Sequence, residues 1–266
     1  MSAAPFHLTA RDGPLILSAP HPGRAMPPDI AARLTPIALA QPDADHQIDG
    51  LYDFADELGA TVLTAAWSRY VVDLNRPPDN APLYPGQFGS GLAPTETFEG
   101  EPLYIDGAGL DAAEVDLRVQ SYWRPYHQAL ADEIARVKAR HGYCLLWDCH
   151  SIAPVAPLLF EGRLPDINLG SFSGGACPAV VAQAVIEAVP ADAPYSRVLD
   201  GRFKGGYITR HYGAPAQGVF ALQLELAQSA YLGPDHRTID KDLHARFRPI
   251  LRAMIDTFLN EAPRHV

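Results

Sequence analysis

Apolar residues recur along the chain in two alternating rhythms, short solid runs of strand length and longer stretches with a step of three or four, and this alternation predicts an α/β fold. The run LILSAP (15–20) follows a Gly13-Pro14 break and gives way at His21-Pro22-Gly23, so a buried strand opens into a loop at a histidine. From Asp43 to Gly59 acids come first, then Ile48, Leu51, Tyr52, Ala55 and Leu58 at helical spacing, which predicts a helix stopped by the glycine. TVLTAAW (61–67) predicts the next strand. SRYVVDLNR (68–76) predicts another, because Tyr70, Val72 and Leu74 alternate with Val71, Asp73 and Asn75 before Pro77-Pro78. Residues 77–110 are rich in Gly and Pro and have no period, the signature of a binding loop or lid. A helix is predicted over 112–140, kinked or broken near Pro125. CLLWDCH (144–150) reads as a buried strand that again ends on a histidine, ALQLELA (221–227) as a third with Glu225 near its end, and 236–262 as a closing helix.

Three strands thus carry His21, His150 and Glu225 toward strand ends, the address at which open α/β sheets bind ligands. An acidic cluster, Asp43-Ala44-Asp45, opens the helix after the first of them. Two imidazoles and one carboxylate, with a position left to water, make a zinc site of the catalytic type, and the residue pattern leaves the choice of carboxylate open. Cys149 points to the opposite strand face from His150, whereas Asp148 shares the His150 face and can fix the ring tautomer. Glu225 interrupts an apolar strand, so it needs a partner, a metal or a cleft, and a raised pKa would suit a general base.

Asn75 and Arg76 offer an amide N–H and a bidentate fork to a carboxylate, the alternative being a structural ion pair with Asp73, and Arg69 lies seven residues before Arg76. In GRFKGGYITRHYGAP (201–215), which matches no P-loop, Arg202, Lys204 and Arg210 are available to an anion. His46, His141, His236, His244 and His265 fall on helices, helix ends or the tail and read as structural. His127 and His211 have aromatic or arginine neighbours that keep a substrate role open.

Composition narrows the partners. A chain of 266 residues with 47% hydrophobic content can bury a core, read here as a single domain over 1–266, and the 25 prolines and 21 glycines are scattered as turns rather than repeats. With 31 acidic against 21 basic residues the net charge is −10, and no basic run is present to meet a phosphate backbone, which argues against nucleic acid and anionic membrane. No apolar stretch approaches the roughly 20 residues of a spanning helix, and the first residues lack a leader pattern. Three cysteines at spacings of no zinc ribbon fit buried thiols in a reducing cytoplasm. A homo-oligomer stays open.

Taken together, APHPGRAMP (19–27), DADHQIDGLY (43–52), SRYVVDLNRPP (68–78), LLWDCHS (145–151), LPDINLGS (164–171), GGYITRHYG (205–213) and LQLELAQSAYL (222–232) resemble, in order, the N-formylglutamate amidohydrolases (deformylases) of histidine breakdown. That family is similar to zinc carboxypeptidases and aspartoacylases. The resemblance implies a three-layer α/β/α fold with a mixed central sheet, of phosphorylase/hydrolase-like type, and one catalytic Zn2+. It implies His21 and His150 as zinc ligands and Glu225 as the group that activates water. Where the wider relatives carry an acidic ligand three residues after the first histidine, this chain has Arg24; Asp45 is the choice for the carboxylate, before Asp43 and Asp49. Asn75 and Arg76 would hold the substrate α-carboxylate, Arg69 would face the oxyanion, and one of Arg202, Lys204 and Arg210 would take the γ-carboxylate. The implied substrate is N-formyl-L-glutamate. A related N-acyl-amino-acid deacylase or carboxypeptidase is the competing enzyme, and a non-catalytic α/β amino-acid-binding protein the competing class.

Overall fold

The computed structural model describes residues 4–83, 86 and 89–266. Its regular elements in chain order are β1 (Phe6–Thr9), β2 (Leu15–Ala19), α1 (Pro28–Ala31), α2 (Pro36–Ala40), β3 (Thr61–Ala65), α3 (Ala112–Arg118), α4 (Arg124–His141), β4 (Cys144–Ile152), β5 (Ile167–Gly170), α5 (Ala179–Glu187), β6 (Arg197–Leu199), α6 (Tyr207–Tyr212), β7 (Val219–Ala227) and α7 (Lys241–Glu261). The strands form one mixed sheet in the order β1-β3-β2-β4-β7-β5-β6. β2 is parallel to β3 and β4, and β4 to β7, while β1 and the β5–β6 pair are joined antiparallel to their inner neighbours β3 and β7. Helices cover both faces, a three-layer α/β arrangement.

Strand order reverses between β2 and β4, so the carboxyl ends of these neighbours border a crevice. The pleat of β4 and β7 then decides what fills it. On one face Leu145, Trp147, Cys149, Phe220, Leu222, Leu224 and Leu226 pack into the core beneath α5 and α7. On the other face Cys144, Leu146, Val219 and Ala221 begin as apolar contacts under α4. The same face continues as Asp148 opposite Gln223 and His150 opposite Glu225, where the strands emerge into the crevice.

Two expected elements take another form. Over 43–59 the chain makes turns and a 3-10 helix at Ile48–Tyr52, because Gln47 is left-handed (φ 52°) and Asp45 turns back to accept from Ser151 N. Ile48, Leu51 and Tyr52 still fill the core, which is what their spacing reported. Residues 68–76 are a buried turn, not a strand. Their alternation fails as a strand signal because both sides of the segment are buried. Its carbonyls are met by a side chain: Arg118, itself 2% exposed, donates Nη1 to Tyr70 O (3.3 Å) and Val71 O (3.0 Å), while its Nη2 lies 2.5 Å from Glu114 Oε1. The expected break at Pro125 is a π turn, Val119–Trp123, that joins α3 to α4 with the proline in the first turn of α4. The closing helix begins at Lys241, capped by Asp240.

His127, buried on α4, donates Nε2–H to Leu74 O (2.9 Å), holds its Nδ1 3.0 Å from the Tyr212 hydroxyl and stacks on Trp123 at 3.7 Å. Burial pushes its pKa down to about 3.

Replacing Arg118 by Met leaves two buried carbonyls without donors, and stability to urea is expected to fall by about 3 kcal/mol; an unchanged midpoint would show that the 68–76 turn holds without it. For His127 the unfolded chain takes up the proton first as pH falls below 6.5. Its contribution is intact above that value and is lost toward pH 3, by roughly 1.4 kcal/mol per pH unit at most. His127→Gln is therefore expected to show a shallower decline in urea midpoint between pH 7 and 4 than the wild type.

Candidate metal centre

At the carboxyl ends of β2 and β4 three side chains meet. His21 follows β2 by two residues, His150 lies near the end of β4, and Asp45 is set between them by its backbone N–H bond to His21 O (3.2 Å) and its carboxylate bond to Ser151 N (3.1 Å). All three are buried, and one ligand atom from each lies within 4.8 Å of the others. Nδ1 of His150 is 3.1 Å and Nδ1 of His21 3.8 Å from Asp45 Oδ2. Behind each ring stands another carboxylate: His21 Nε2 is 2.8 Å from Asp73 Oδ1, and His150 Nε2 is 3.0 Å from Asp148 Oδ2. Such backing favours the Nε2–H tautomer and leaves both Nδ1 lone pairs facing a common point.

Two atoms of this group, His21 Nδ1 and Asp45 Oδ1, are buried without a hydrogen-bond partner among the described residues, the Arg69 guanidinium standing 3.5 Å from that oxygen. Leaving such atoms dry and unmet costs stability, and a divalent cation that takes nitrogen and oxygen ligands removes the cost. The donor set therefore fits one zinc-like ion. Burial alone would favour a neutral His150, but Asp148 and Asp45 outweigh it and lift its pKa well above the ordinary value. For His21, burial together with the Arg69 charge outweighs Asp73 and Asp45 and lowers it. Protons and a cation compete for such imidazole and carboxylate ligands, so metal affinity falls as the pH falls.

The other acids lie elsewhere. Asp43 Oδ2 accepts from the Tyr70 hydroxyl (2.7 Å) and Phe98 N (3.0 Å), and Asp49 is exposed on the 3-10 turn. Arg69 is buried beside the centre, donating to Asp73 Oδ2 at 2.7 Å, 3.5 Å from Asp45 Oδ1, with its guanidinium 4.7 Å from the Phe98 ring centroid. Burial disfavours its charge, yet Asp73, Asp45 and Asp43 raise its pKa. Glu225, 8% exposed, faces the cleft beside His150; burial pushes its pKa up to about 8, with His150 opposing and Asp45 reinforcing the shift.

Arg69, Asn75, Arg76, Arg202, Gln223 and Glu225 all line the cleft. Arg76 is steered by bonds to Ser90 O (2.8 Å), Ser90 Oγ (3.0 Å) and Asn75 O (3.1 Å), and Arg202 by Leu159 O (2.6 Å). The other two expected cations stand off the cleft wall: Lys204 is exposed, and Arg210 bonds Gly205 O and Leu83 O, both at 2.7 Å, over the Phe172 ring. His127 and His211 also lie outside the cleft. Asn75 does more than line it. Its Oδ1 accepts from Ile208 N at the start of α6 (2.8 Å), and its Nδ2 lies near His150 Nε2 (2.9 Å), Asp148 Oδ2 (3.2 Å) and Gln223 Oε1 (3.4 Å). Gly206 packs flat on this amide, where a Cβ would come within 2.6 Å of it. Of the expected loop 77–110, Leu83, Gly89 and Phe98 reach the cleft, and 84, 85, 87 and 88 lie outside the described residues. Gln223 and Phe98 escape the sequence reading. The first carries a signal, period two from Glu225, and the second, in an aperiodic loop, carries none.

The sequence model of the family described as N-formylglutamate amidohydrolase matches residues 13–232. N-formylglutamate deformylases of Pseudomonas aeruginosa and Pseudomonas putida are 49% and 46% identical to this chain, each over 92% of both sequences. The crystal structure of an N-formylglutamate amidohydrolase from Ralstonia eutropha JMP134 superposes with a TM-score of 0.80 at 26% identity, covering 98% of both chains. An Agrobacterium tumefaciens protein, 18% identical with a TM-score of 0.70 over 96% of both chains, shares the fold.

Zinc content and titration calorimetry are expected to show one site per chain, lost in His21→Ala, Asp45→Asn and His150→Ala but kept in Asp43→Asn and Asp49→Asn. Asp73→Asn, which removes the carboxylate behind His21, is expected to weaken binding about 10- to 100-fold. Full zinc occupancy in Asp45→Asn would move the carboxylate ligand elsewhere.

Proposed function

Because the chain belongs to the N-formylglutamate amidohydrolase family, we propose that it hydrolyses N-formyl-L-glutamate to formate and L-glutamate with one zinc ion held by His21, Asp45 and His150. The observation that carries the reading is that His21 and His150 of that triad line one cleft together with a buried glutamate and three arginines. Zinc, when bound there, supplies a Lewis acid for the formyl carbonyl and counter-charge for the oxygen that becomes negative.

The chain's own groups supply the rest. Glu225 takes a proton from the attacking water as its oxygen bonds to the formyl carbon, and returns a proton to the nitrogen as the C–N bond breaks. Burial, which lifts Glu225 to about 8, places it near neutrality, where one group can serve as base and then acid. Arg69, held by Asp73 and laid against Phe98, is already oriented toward the centre and meets the developing negative charge without reorganisation. The substrate has two carboxylates. Arg76, with Asn75 beside it, takes one, and Arg202 the other. With an overall charge of −10, attraction for such a dianion has to come from these local guanidinia.

A cytoplasmic setting belongs to this reading, supported by three buried cysteines with no disulfide among them. So does a place in histidine breakdown, carried by the resemblance. Among the described residues, no helix is long and apolar enough to cross a membrane.

Formate release from N-formyl-L-glutamate is expected from the protein as isolated, lost on chelation and recovered on adding zinc. Glu225→Gln is expected to keep zinc and lose about a thousandfold in kcat. Release that survives complete chelation would remove the metal from the reaction, and wild-type turnover in Glu225→Gln would remove that residue.

A further inference from the structure

A second cavity, of about 420 Å³, lies directly against the reaction cleft, which encloses about 60 Å³. Among the described residues the two share Phe98 and Ile152, whose apolar side chains belong to one buried cluster with Ala156, Leu159 and Leu164. Phe98 and Ile152 are therefore the partition between a tight site and a roomy neighbour.

Building on the amidohydrolase reading above, we propose that Phe98 is the specificity-determining wall that restricts the acyl group to formyl. Its ring lies on the Arg69 guanidinium, which stands 3.5 Å from Asp45 Oδ1, so the wall stands at the reacting end of the cleft. The carbonyl carbon of an N-acyl amino acid has two substituents besides oxygen. When Arg76 and Arg202 hold the carboxylates, the amino-acid half is committed to them and the acyl substituent is what remains to face Phe98. In a formyl group that substituent is a hydrogen. In an acetyl or butyryl group it is a chain that the ring excludes.

The wall is also fixed in place. Phe98 N donates to Asp43 Oδ2 (3.0 Å), the same oxygen that accepts from Tyr70 (2.7 Å). The Thr97 hydroxyl oxygen accepts from Glu99 N (3.2 Å) and Glu101 N (3.1 Å), closing the turn that carries the ring. Asp43, an acid with no place in the metal triad, thus acts as the anchor of the specificity wall. Behind it, Pro154, Val155 and Ala156 give the second cavity an apolar side that an aliphatic chain could occupy.

The test is a substrate panel, N-formyl-, N-acetyl- and N-butyryl-L-glutamate together with N-formyl-L-2-aminoadipate, on wild type, Phe98→Ala, Phe98→Leu and Ile152→Ala. A methylene in an apolar pocket is worth about 10- to 200-fold in discrimination, so the N-butyryl to N-formyl ratio of kcat/KM is expected to rise at least about tenfold in Phe98→Ala. Ile152→Ala opens the same partition without touching Arg69 and is expected to move the ratio in the same direction; with Phe98→Leu it decides the matter if Phe98→Ala does not fold. Ratios that stay at the wild-type value in the folded variants overturn the proposal, as does a gain confined to the longer aminoadipate, which would put the wall at the amino-acid end. Wild-type protein that releases no formate from N-formyl-L-glutamate removes the substrate reading itself, a failure visible before any variant is compared.

Discussion

Charge balance at one dry strand end is the constraint around which the molecule is organised. Asp45, Asp73, Asp148 and Glu225 are all at most 8% exposed, and they share the space with His21, His150 and Arg69. Unpaired, such charges would cost more than the surrounding core could offset. Each is met by a specific neighbour instead: Arg69 and His21 answer Asp73, His150 and Asn75 answer Asp148, and Gln223 reaches Glu225. Burial of Asp73 opposes its ionisation, but the charges of His21, Arg69 and Arg76 overcome it and hold the group well below the usual carboxylate range. Among the described residues of this group, His21 Nδ1, Asp45 Oδ1 and Arg69 Nε are the buried atoms that keep no hydrogen-bond partner.

The rest of the architecture delivers those partners. β4 and β7 run parallel and in register, so Asp148 with Gln223 and His150 with Glu225 arrive as adjacent pairs. Arg118 lends its donors to the 68–76 turn, and so keeps Arg69, Asp73, Asn75 and Arg76 at the crevice although that segment has no strand neighbour. Asn75 ties the turn to α6, and the glycine at 206 is what lets helix and amide approach.

Much of this was legible in the residues themselves. His21, His150 and Glu225 could be placed because each stands at or near the end of a strand-length apolar run, and the sheet order brings the ends of β2, β4 and β7 together. The helix read over 43–59 and the strand read over 68–76 failed for one reason: periodicity reports which positions are buried, and here burial is reached through turns and a short 3-10 helix rather than an α-helix or a strand. In each, a side chain, Asp45 or Arg118, bonds the main chain in place of a neighbouring element, and spacing carries no record of such long-range bonds. Choosing among Asp43, Asp45 and Asp49 needed coordinates, since three acids within seven residues differ only in the direction each turn gives them. Nor does spacing say which of Arg202, Lys204 and Arg210 lines the cleft, as Arg202 does.

The sheet order has a consequence for the timing of assembly. β7 is the last strand in the chain yet lies between β4 and β5, pairing with both. During synthesis β4 and the β5–β6 pair are made well before it, and each must wait with an open edge, the kind of edge that invites pairing with another chain. Closure pairs residues about 53 to 75 positions apart, a slow step by the usual relation between contact separation and rate. Glu225 arrives on the strand that closes the sheet, so the completed sheet and the completed site form in one event, and a nascent chain stalled before β7 has neither.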